Sequence, residues 1–121
     1  MKGAVVLINA IGVAGEAIPG VLAQIADLQT RTAGFRPLLL TSTPVFRQVR
    51  PYGWPVELVI AQEDWDFPQE WQDYVAARLA MIATRYRTWS TVGVVDGALD
   101  PLGVRVLEQL ASYRPWEASF L

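Results

Sequence analysis

The sequence predicts a three-layer α-β-α domain with a small parallel sheet of four to five strands. Its 121 residues are close to the commonest domain size, and 52% of them are apolar and spread along the chain. Short apolar runs alternate with stretches whose apolar residues recur at helical spacing. A strand that is apolar throughout is typical of a parallel sheet buried on both faces. We therefore predict a single α/β domain over residues 1–121.

The first half of the chain is predicted to form a strand, a glycine loop, a helix, a strand and a short helix. Residues 3–8 are a continuous apolar run rich in Val and Ile, which indicates a buried strand. A glycine-rich loop leads into residues 21–32, whose apolar positions have helical spacing, and Gly34 ends that helix. Residues 37–43 form the second strand. A short helix is predicted over residues 44–50, because Pro is tolerated at a first helical position.

The second half continues the same alternation. Residues 56–61 form the third predicted strand, and residues 68–87 carry the longest helical pattern. The fourth strand is predicted over residues 91–95, followed by a turn at the Asp96-Gly97 dipeptide and a last helix over residues 101–113. The order is therefore β-α-β-α-β-α-β-α. With right-handed crossovers it predicts a Rossmann-like or flavodoxin-like arrangement.

The end of the chain, residues 114–121, has the pattern of a loop followed by the first residues of another strand. Without a fifth strand, the apolar fourth strand would be an unprotected edge of the sheet. Three arrangements would cover the unpaired backbone groups of this edge: the tail pairs with it, a second copy covers it, or the chain is one piece of a larger protein.

Charge and composition exclude several classes of function. The 10 basic and 12 acidic side chains leave a net charge of −2, so no positive field attracts nucleic acid and none is expected as a partner. The chain has no cysteine and no histidine, so chemistry must use carboxylates, backbone amides and Arg, and neither a metal nor a cofactor is expected. No apolar stretch has the length of a membrane span or the pattern of a signal peptide, which predicts a cytoplasmic protein.

Ligands in open parallel sheets bind beyond the carboxyl ends of the strands, where the strand order reverses, and here that point is expected between the first and fourth strands. The loops that meet there are residues 9–20 and residues 96–103. Gly12 and Gly15 have Gly-x-x-Gly spacing before a helix whose first amides could hold an anion. Glu16 opposes that interpretation, because a carboxylate competes for the same partial positive charge; it could instead cap the helix or act as an acid or base.

The glycines and Asp96 also have explanations that need no ligand. The dinucleotide pattern Gly-x-Gly-x-x-Gly lacks its first glycine, and no Gly-Lys-Ser/Thr motif occurs. Gly12 and Gly15 would serve a tight turn with or without a ligand. Asp96 and Gly97 are also the usual residues of a turn that ends a strand.

A loop with three acidic residues follows the third predicted strand. Glu63, Asp64 and Asp66 fit no calcium loop, and we predict a solvated loop in which Asp66 is the N-cap of the helix that starts at Pro68. A tryptophan on the apolar stripe of a helix, such as Trp71, is more often part of the core. Better candidates for stacking on a sugar are the tryptophans in predicted loops: Trp54, Trp65 and Trp89.

The segment INAIGVAGEAIPGVLAQIADLQ resembles the glycine-rich loop and helix in the N-terminal half of two-Rossmann-domain (GT-B) glycosyltransferases. Gly12, Gly15, Glu16 and Pro19 match the family's Gly-x-x-Gly-His-x-x-Pro core by position, with Glu16 where the family most often has His. The segments FRPLLLTSTPVFRQVRPYGWPVELV and ATRYRTWSTVGVVDG are similar to the family's second and third strands and to the end of its fourth strand. The likeness covers nearly the whole chain.

The resemblance implies the acceptor-side half of a glycosyltransferase, which binds a small-molecule or lipid acceptor in a cleft completed by a second Rossmann-like domain or chain. It implies Glu16 as the catalytic base and Asp96 as an orienting or acceptor-contacting residue, with acceptor binding at Gly12, Gly15 and Gly97. In this family the nucleotide sugar is bound mainly by the other half, so this chain is not expected to transfer sugar alone.

The alternative function is a non-catalytic flavodoxin-like binding module or a module that forms a homodimer through its fourth strand or its tail. The two functions differ in an observable way. A glycosyltransferase half has an open cleft at residues 12–16, whereas a dimerisation module buries an apolar sheet edge against a second copy.

Overall fold

The computed structural model describes residues 4–32 and 34–111. Five strands are formed: β1 (Val5–Ala10), β2 (Arg36–Thr41), β3 (Val56–Leu58), β4 (Thr88–Val95) and β5 (Ala98–Leu99). The α-helices are α1 (Ile18–Arg31), α2 (Phe46–Val49), α3 (Trp71–Tyr86) and α4 (Pro101–Ala111). Short 3₁₀ turns cover Gly15–Ala17, Arg50–Tyr52 and Gln62–Asp64. The predicted alternation of strands and helices is confirmed, with β5 as an addition. The strand expected within residues 114–121 lies outside the described residues.

The strands form one sheet in the order β3-β2-β1-β4-β5. β1 is parallel to both β2 and β4, β2 is parallel to β3, and the short β5 is antiparallel to β4. The strand order reverses after β3, because the chain then crosses β2 and β1 before it forms β4. The switch point is therefore between β1 and β4, as predicted, and the fold is a doubly wound, Rossmann-like or flavodoxin-like α/β domain.

One face of the sheet is covered by α1, α2 and α4. The apolar positions of α1 recur every three or four residues and are all buried against this face: Ile18, Val21, Leu22, Ile25 and Leu28. They pack with Val6 and Ile8 of β1, Val49 of α2 and Leu107 of α4 in one core cluster. Each such side chain contributes roughly 1.5–3 kcal/mol by leaving water.

In the part of the chain that the structure describes, α3 is the one helix that covers the opposite face. Ile82 is the one buried side chain of α3, and it packs among apolar side chains of β1 and β2: Val5, Leu7, Leu38 and Leu40. Tyr74, Leu79 and Tyr86 are partly buried beside it. This second core is smaller than the first. Among the described residues, no helix combines the length and the hydropathy needed to cross a membrane.

The predicted start of the long helix is wrong, and so is its predicted N-cap. α3 begins at Trp71 with Glu70 as its N-cap, not after an Asp66 cap. The reason is that Trp65 stacks on Tyr74 at 4.5 Å and its indole N–H donates to the Gln69 carbonyl at 2.6 Å, which keeps the preceding residues in a loop.

Several strand boundaries also differ from those predicted. β1 continues to Ala10 because its last residues pair with Leu40 and Thr41 of β2. β4 starts three residues before the predicted position, at Thr88, which pairs with Val5. Trp89 therefore belongs to a strand and not to a loop.

A partly buried carboxylate joins the edge strand β3 to α3. Glu57 is 12% exposed, and it accepts a hydrogen bond from Arg78 Nη2 at 3.1 Å and from the Tyr86 hydroxyl at 2.7 Å. Arg85 Nη1 lies 3.8 Å from the same carboxylate. The hydrogen bond to Glu57, together with burial, raises the pKa of Tyr86 above its ordinary value of 10.0.

This pKa shift predicts how stability responds to alkali. The folded state favours the neutral phenol of Tyr86, so its contribution is fully present below the ordinary pKa and is lost as the pH rises through the raised folded pKa. We expect the wild type to lose more unfolding free energy than Tyr86→Phe between neutral pH and about pH 11, measured by urea denaturation. Tyr52→Phe, at an exposed tyrosine, is the control and should behave like the wild type. Identical pH profiles for wild type and Tyr86→Phe would contradict the prediction.

Candidate functional site

The carboxyl ends of β1 and β4 meet at a cavity of about 290 Å³. Its lining comes from the residues that follow these two strands and from the end of β4: Ile11, Gly12, Val13, Ala14, Ala17, Val94, Asp96 and Gly97. This is the position at which doubly wound sheets bind their ligands. The volume is at the small end of the range for ligand pockets.

The loop after β1 is a tight turn. Val13 N donates to the Ala10 carbonyl at 3.1 Å, and Gly12 has a φ of +81°, a conformation that favours glycine. The amide of Ile11 donates to Asn9 Oδ1 at 3.2 Å. The loop is therefore held by one bond between backbone groups and one to the Asn9 side chain.

The same loop is attached to the residues that follow β2. The Gly12 amide donates to Ser42 Oγ at 2.9 Å, and Thr43 Oγ1 donates to the Val13 carbonyl at 3.2 Å. Because the Ile11 and Gly12 amides already have acceptors, they do not form the cradle of free N–H groups that holds a phosphate. Sequence reasoning missed Ser42 and Thr43. The sequence signal that could have found them is a pair of hydroxyl residues directly after an apolar strand, at the same edge of the sheet as the loop after β1.

The opposite wall of the cavity is the hairpin between β4 and β5. Asp96 and Gly97 form its two-residue loop, with φ values of +51° and +77°, which is the type I′ pattern. A Cβ built on Gly97 would lie 3.6 Å from Ala17 Cβ, so this turn touches the loop after β1. Leu99 N donates to Gln24 Oε1 at 2.8 Å and attaches the hairpin to α1. The predicted turn at Asp96 and Gly97 is confirmed, and both walls of the cavity are fixed.

The structure brings together three of the five predicted site residues. Gly12, Asp96 and Gly97 line the cavity, whereas Gly15 and Glu16 are not among its lining residues. Gly15 is next to the segment after β2, since a Cβ built on it would lie 3.9 Å from Thr43 Cγ2.

Glu16 is exposed in the 3₁₀ turn that precedes α1. The alternative in which it caps the helix is wrong, because Ala17 is the N-cap and no side chain bonds there. Glu16 makes no hydrogen bond or ion pair with another described residue, and Asp96 makes none either. The two carboxylates are thus not joined to each other as an acid–base pair.

The electrostatic character of the cavity follows from one side chain. Asp96 is the only ionisable residue among the described lining residues, and the other side chains there are apolar. A carboxylate without a lining cation repels phosphate and accepts hydrogen bonds from hydroxyl groups. Within the described ranges, no group of three or more His, Cys, Asp and Glu residues could hold a metal ion.

The three tryptophans predicted as sugar-stacking candidates are engaged elsewhere. Trp54 stacks on Tyr52 with ring centroids 4.4 Å apart, and Trp65 stacks on Tyr74. Trp89 packs against Ala4. None of these rings lines the cavity between β1 and β4.

Comparisons with protein-family models, curated proteins and solved structures gave no match. The fold and the cavity nevertheless define a class of protein: a doubly wound α/β domain with a fixed, weakly acidic cavity at its switch point.

The positive φ angles at the cavity predict a ranked set of glycine substitutions. Gly97→Ala and Gly12→Ala should each destabilise the fold by about 1–2 kcal/mol, because a Cβ is strained in the left-handed region. Gly20→Ala is the matched control: Gly20 is in α1, has no positive φ and has open space around it, so this change should stabilise by about 0.5–1 kcal/mol. Urea denaturation measures all three, and equal effects at Gly20 and Gly97 would contradict the ranking.

Proposed function

We propose that this chain binds a neutral hydroxylated small molecule in the cavity between β1 and β4, as the acceptor-side half of a glycosyltransferase. The observation that carries the proposal is Asp96, which among the described residues is the one ionisable side chain that lines the cavity at the switch point. A second domain or chain would close the cleft and supply the nucleotide sugar.

The lining suits one sugar-sized group. The Asp96 carboxylate accepts hydrogen bonds from hydroxyls, while Ile11, Val13 and Val94 offer apolar contact to the C–H faces of a sugar ring. The lack of a cation among these lining residues opposes a phosphate or a nucleotide in the same place.

In this proposal Glu16 is the base that removes the proton from the acceptor hydroxyl as the hydroxyl oxygen attacks the anomeric carbon of the donor. The new C–O bond forms while the bond from that carbon to the nucleotide diphosphate breaks, and the diphosphate leaves on the side of the second domain. Glu16 is exposed and directly precedes Ala17, which lines the cavity. In this proposal the acceptor protrudes from the cavity past Glu16 toward the second domain. Asp96 orients the acceptor by accepting a hydrogen bond.

Backbone amide chemical shifts test the binding site directly. We expect a methyl glycoside at millimolar concentration to shift the amide signals of Gly12 and Gly97 in a ¹⁵N-labelled sample, and inorganic phosphate to leave them unchanged. Asp96→Asn keeps a residue that tolerates positive φ but removes the charge, so it should weaken glycoside binding about tenfold without unfolding the chain.

Asp64→Asn is the matched control, because Asp64 is an exposed acid outside the cavity lining. It should leave glycoside binding unchanged. Shifts produced by phosphate and not by the glycoside, or no shift with either probe, would overturn the proposed function.

A further inference from the structure

The loop between β3 and α3 carries apolar side chains that remain in contact with solvent. Phe67 is 58% exposed and Ile60 is 39% exposed. Two rings connect them: the centroid of the Trp65 ring lies 4.7 Å from that of Phe67 and 4.5 Å from that of Tyr74. The Tyr74 hydroxyl in turn accepts a hydrogen bond from Ile60 N at 2.9 Å. Single exposed apolar residues are normal on a surface, but a contiguous patch marks an interaction site.

Hydrogen bonds fix this loop patch, which consists of Ile60, Trp65, Phe67, Trp71 and Tyr74. The Trp65 indole N–H donates to the carbonyl of Gln69 at 2.6 Å, and the Trp71 indole N–H donates to the carbonyl of Ile60 at 2.8 Å. Together with the bond to the Tyr74 hydroxyl, they attach every polar group of these rings to the backbone. A surface that is already ordered loses little conformational entropy when a partner binds.

The charge around the loop patch has a single sign. Residues 59–77 contain no Lys and no Arg. The acidic side chains of this stretch are all exposed: Glu63, Asp64, Asp66, Glu70 and Asp73. Within the described part of the chain, none of them forms an ion pair. Neighbouring carboxylates repel one another, so a cationic partner that approaches the patch lowers their electrostatic energy.

The apolar surface and the charge together determine which kind of partner fits. Nucleic acid and anionic lipid are repelled by these carboxylates. A metal ion would leave the apolar side chains uncovered, and no group of acidic residues in the described ranges is arranged to hold one. An arginine side chain suits both features, because its guanidinium group stacks on aromatic rings and pairs with carboxylates. Apolar side chains between arginines would cover Ile60 and the rest of the patch.

We propose that the loop patch docks a basic, partly apolar segment of a partner polypeptide. An arginine of that segment stacks on the exposed ring of Phe67, further arginines pair with the flanking carboxylates, and an apolar side chain packs on Ile60. The occupant follows from charge complementarity, since the patch combines exposed apolar rings with carboxylates that have no cation of their own among the described residues. The proposal rests on the loop after β3 and not on the cavity, so it stands whether or not a glycoside binds.

The indole N–H signals of a ¹⁵N-labelled sample test the docking site directly. The probe is a short synthetic peptide that alternates arginine with leucine. We expect it to shift the signals of Trp65 and Trp71 and to leave that of Trp54, which precedes β3, unchanged. Added salt should weaken the binding, because exposed charges are screened. A peptide with serine in place of leucine should bind more weakly, and a peptide with glutamate in place of arginine should not bind.

Variants of exposed residues identify the contacts. Phe67→Ala should weaken binding of the arginine–leucine peptide about fivefold, because the stacked ring is lost. Phe46→Ala is the matched control: Phe46 is 53% exposed but belongs to α2, on the other face of the sheet, so this variant should bind like the wild type. Asp64→Asn should weaken peptide binding about twofold while it leaves glycoside binding unchanged, which separates this proposal from the cavity. Circular dichroism checks that each variant is folded.

Several results would overturn the proposal. They are the absence of any shift at Trp65, equal binding of the serine and leucine peptides, and a Phe67→Ala variant that binds as tightly as the wild type. Light scattering of the chain alone examines the remaining occupant. Self-association that Phe67→Ala abolishes and Phe46→Ala does not would assign the patch to a second copy, and this too would overturn the proposal.

Discussion

The whole architecture depends on β1, a strand that must bury both of its faces. Val6 and Ile8 are fully buried toward α1, and Val5 and Leu7 are buried toward α3. A strand of this kind needs a parallel neighbour on each side and a helix layer on each face. With right-handed crossovers, strands added on opposite sides of β1 require helices on opposite faces. The reversal of strand order at β1, and with it the cavity between β1 and β4, follows from this requirement.

The Asp96-Gly97 turn has consequences far beyond its own position. Its two left-handed residues reverse the chain after β4, so β5 returns antiparallel. α4 then packs on the face of α1, where Leu107 is buried. In a doubly wound sheet with a parallel fifth strand, the helix after β4 lies on the other face, beside α3. Among the described residues, the turn therefore accounts for three features: a wall of the cavity, a second face that α3 covers without another helix, and an outer edge of β4 that β5 pairs with only at Val94 and Val95.

The strands and helices with the clearest apolar patterns were predictable from sequence, because each depends on a local pattern. The apolar run of β1 and the helical spacing in α1 are examples, and the rule for open sheets then placed Gly12, Asp96 and Gly97 at one site. β5 was not predictable, because Ala98 and Leu99 are too short a pair to show any periodicity. The start of β4 was missed for a different reason: Thr88 becomes a strand residue through its pairing with Val5, which no local pattern encodes.

The site also shows why a glycine-rich loop is a weak indicator of its ligand. The spacing of Gly12 and Gly15 is compatible with a loop that binds phosphate, yet the hydrogen-bond partners decide whether its amides are available. Asn9 and Ser42 accept from the first two amides after β1, so the loop satisfies itself before any ligand arrives. Asp96 is then the one charged group that the described lining residues present to a ligand. The chemistry of the cavity is set by that carboxylate across the sheet and not by the glycines that draw attention in the sequence.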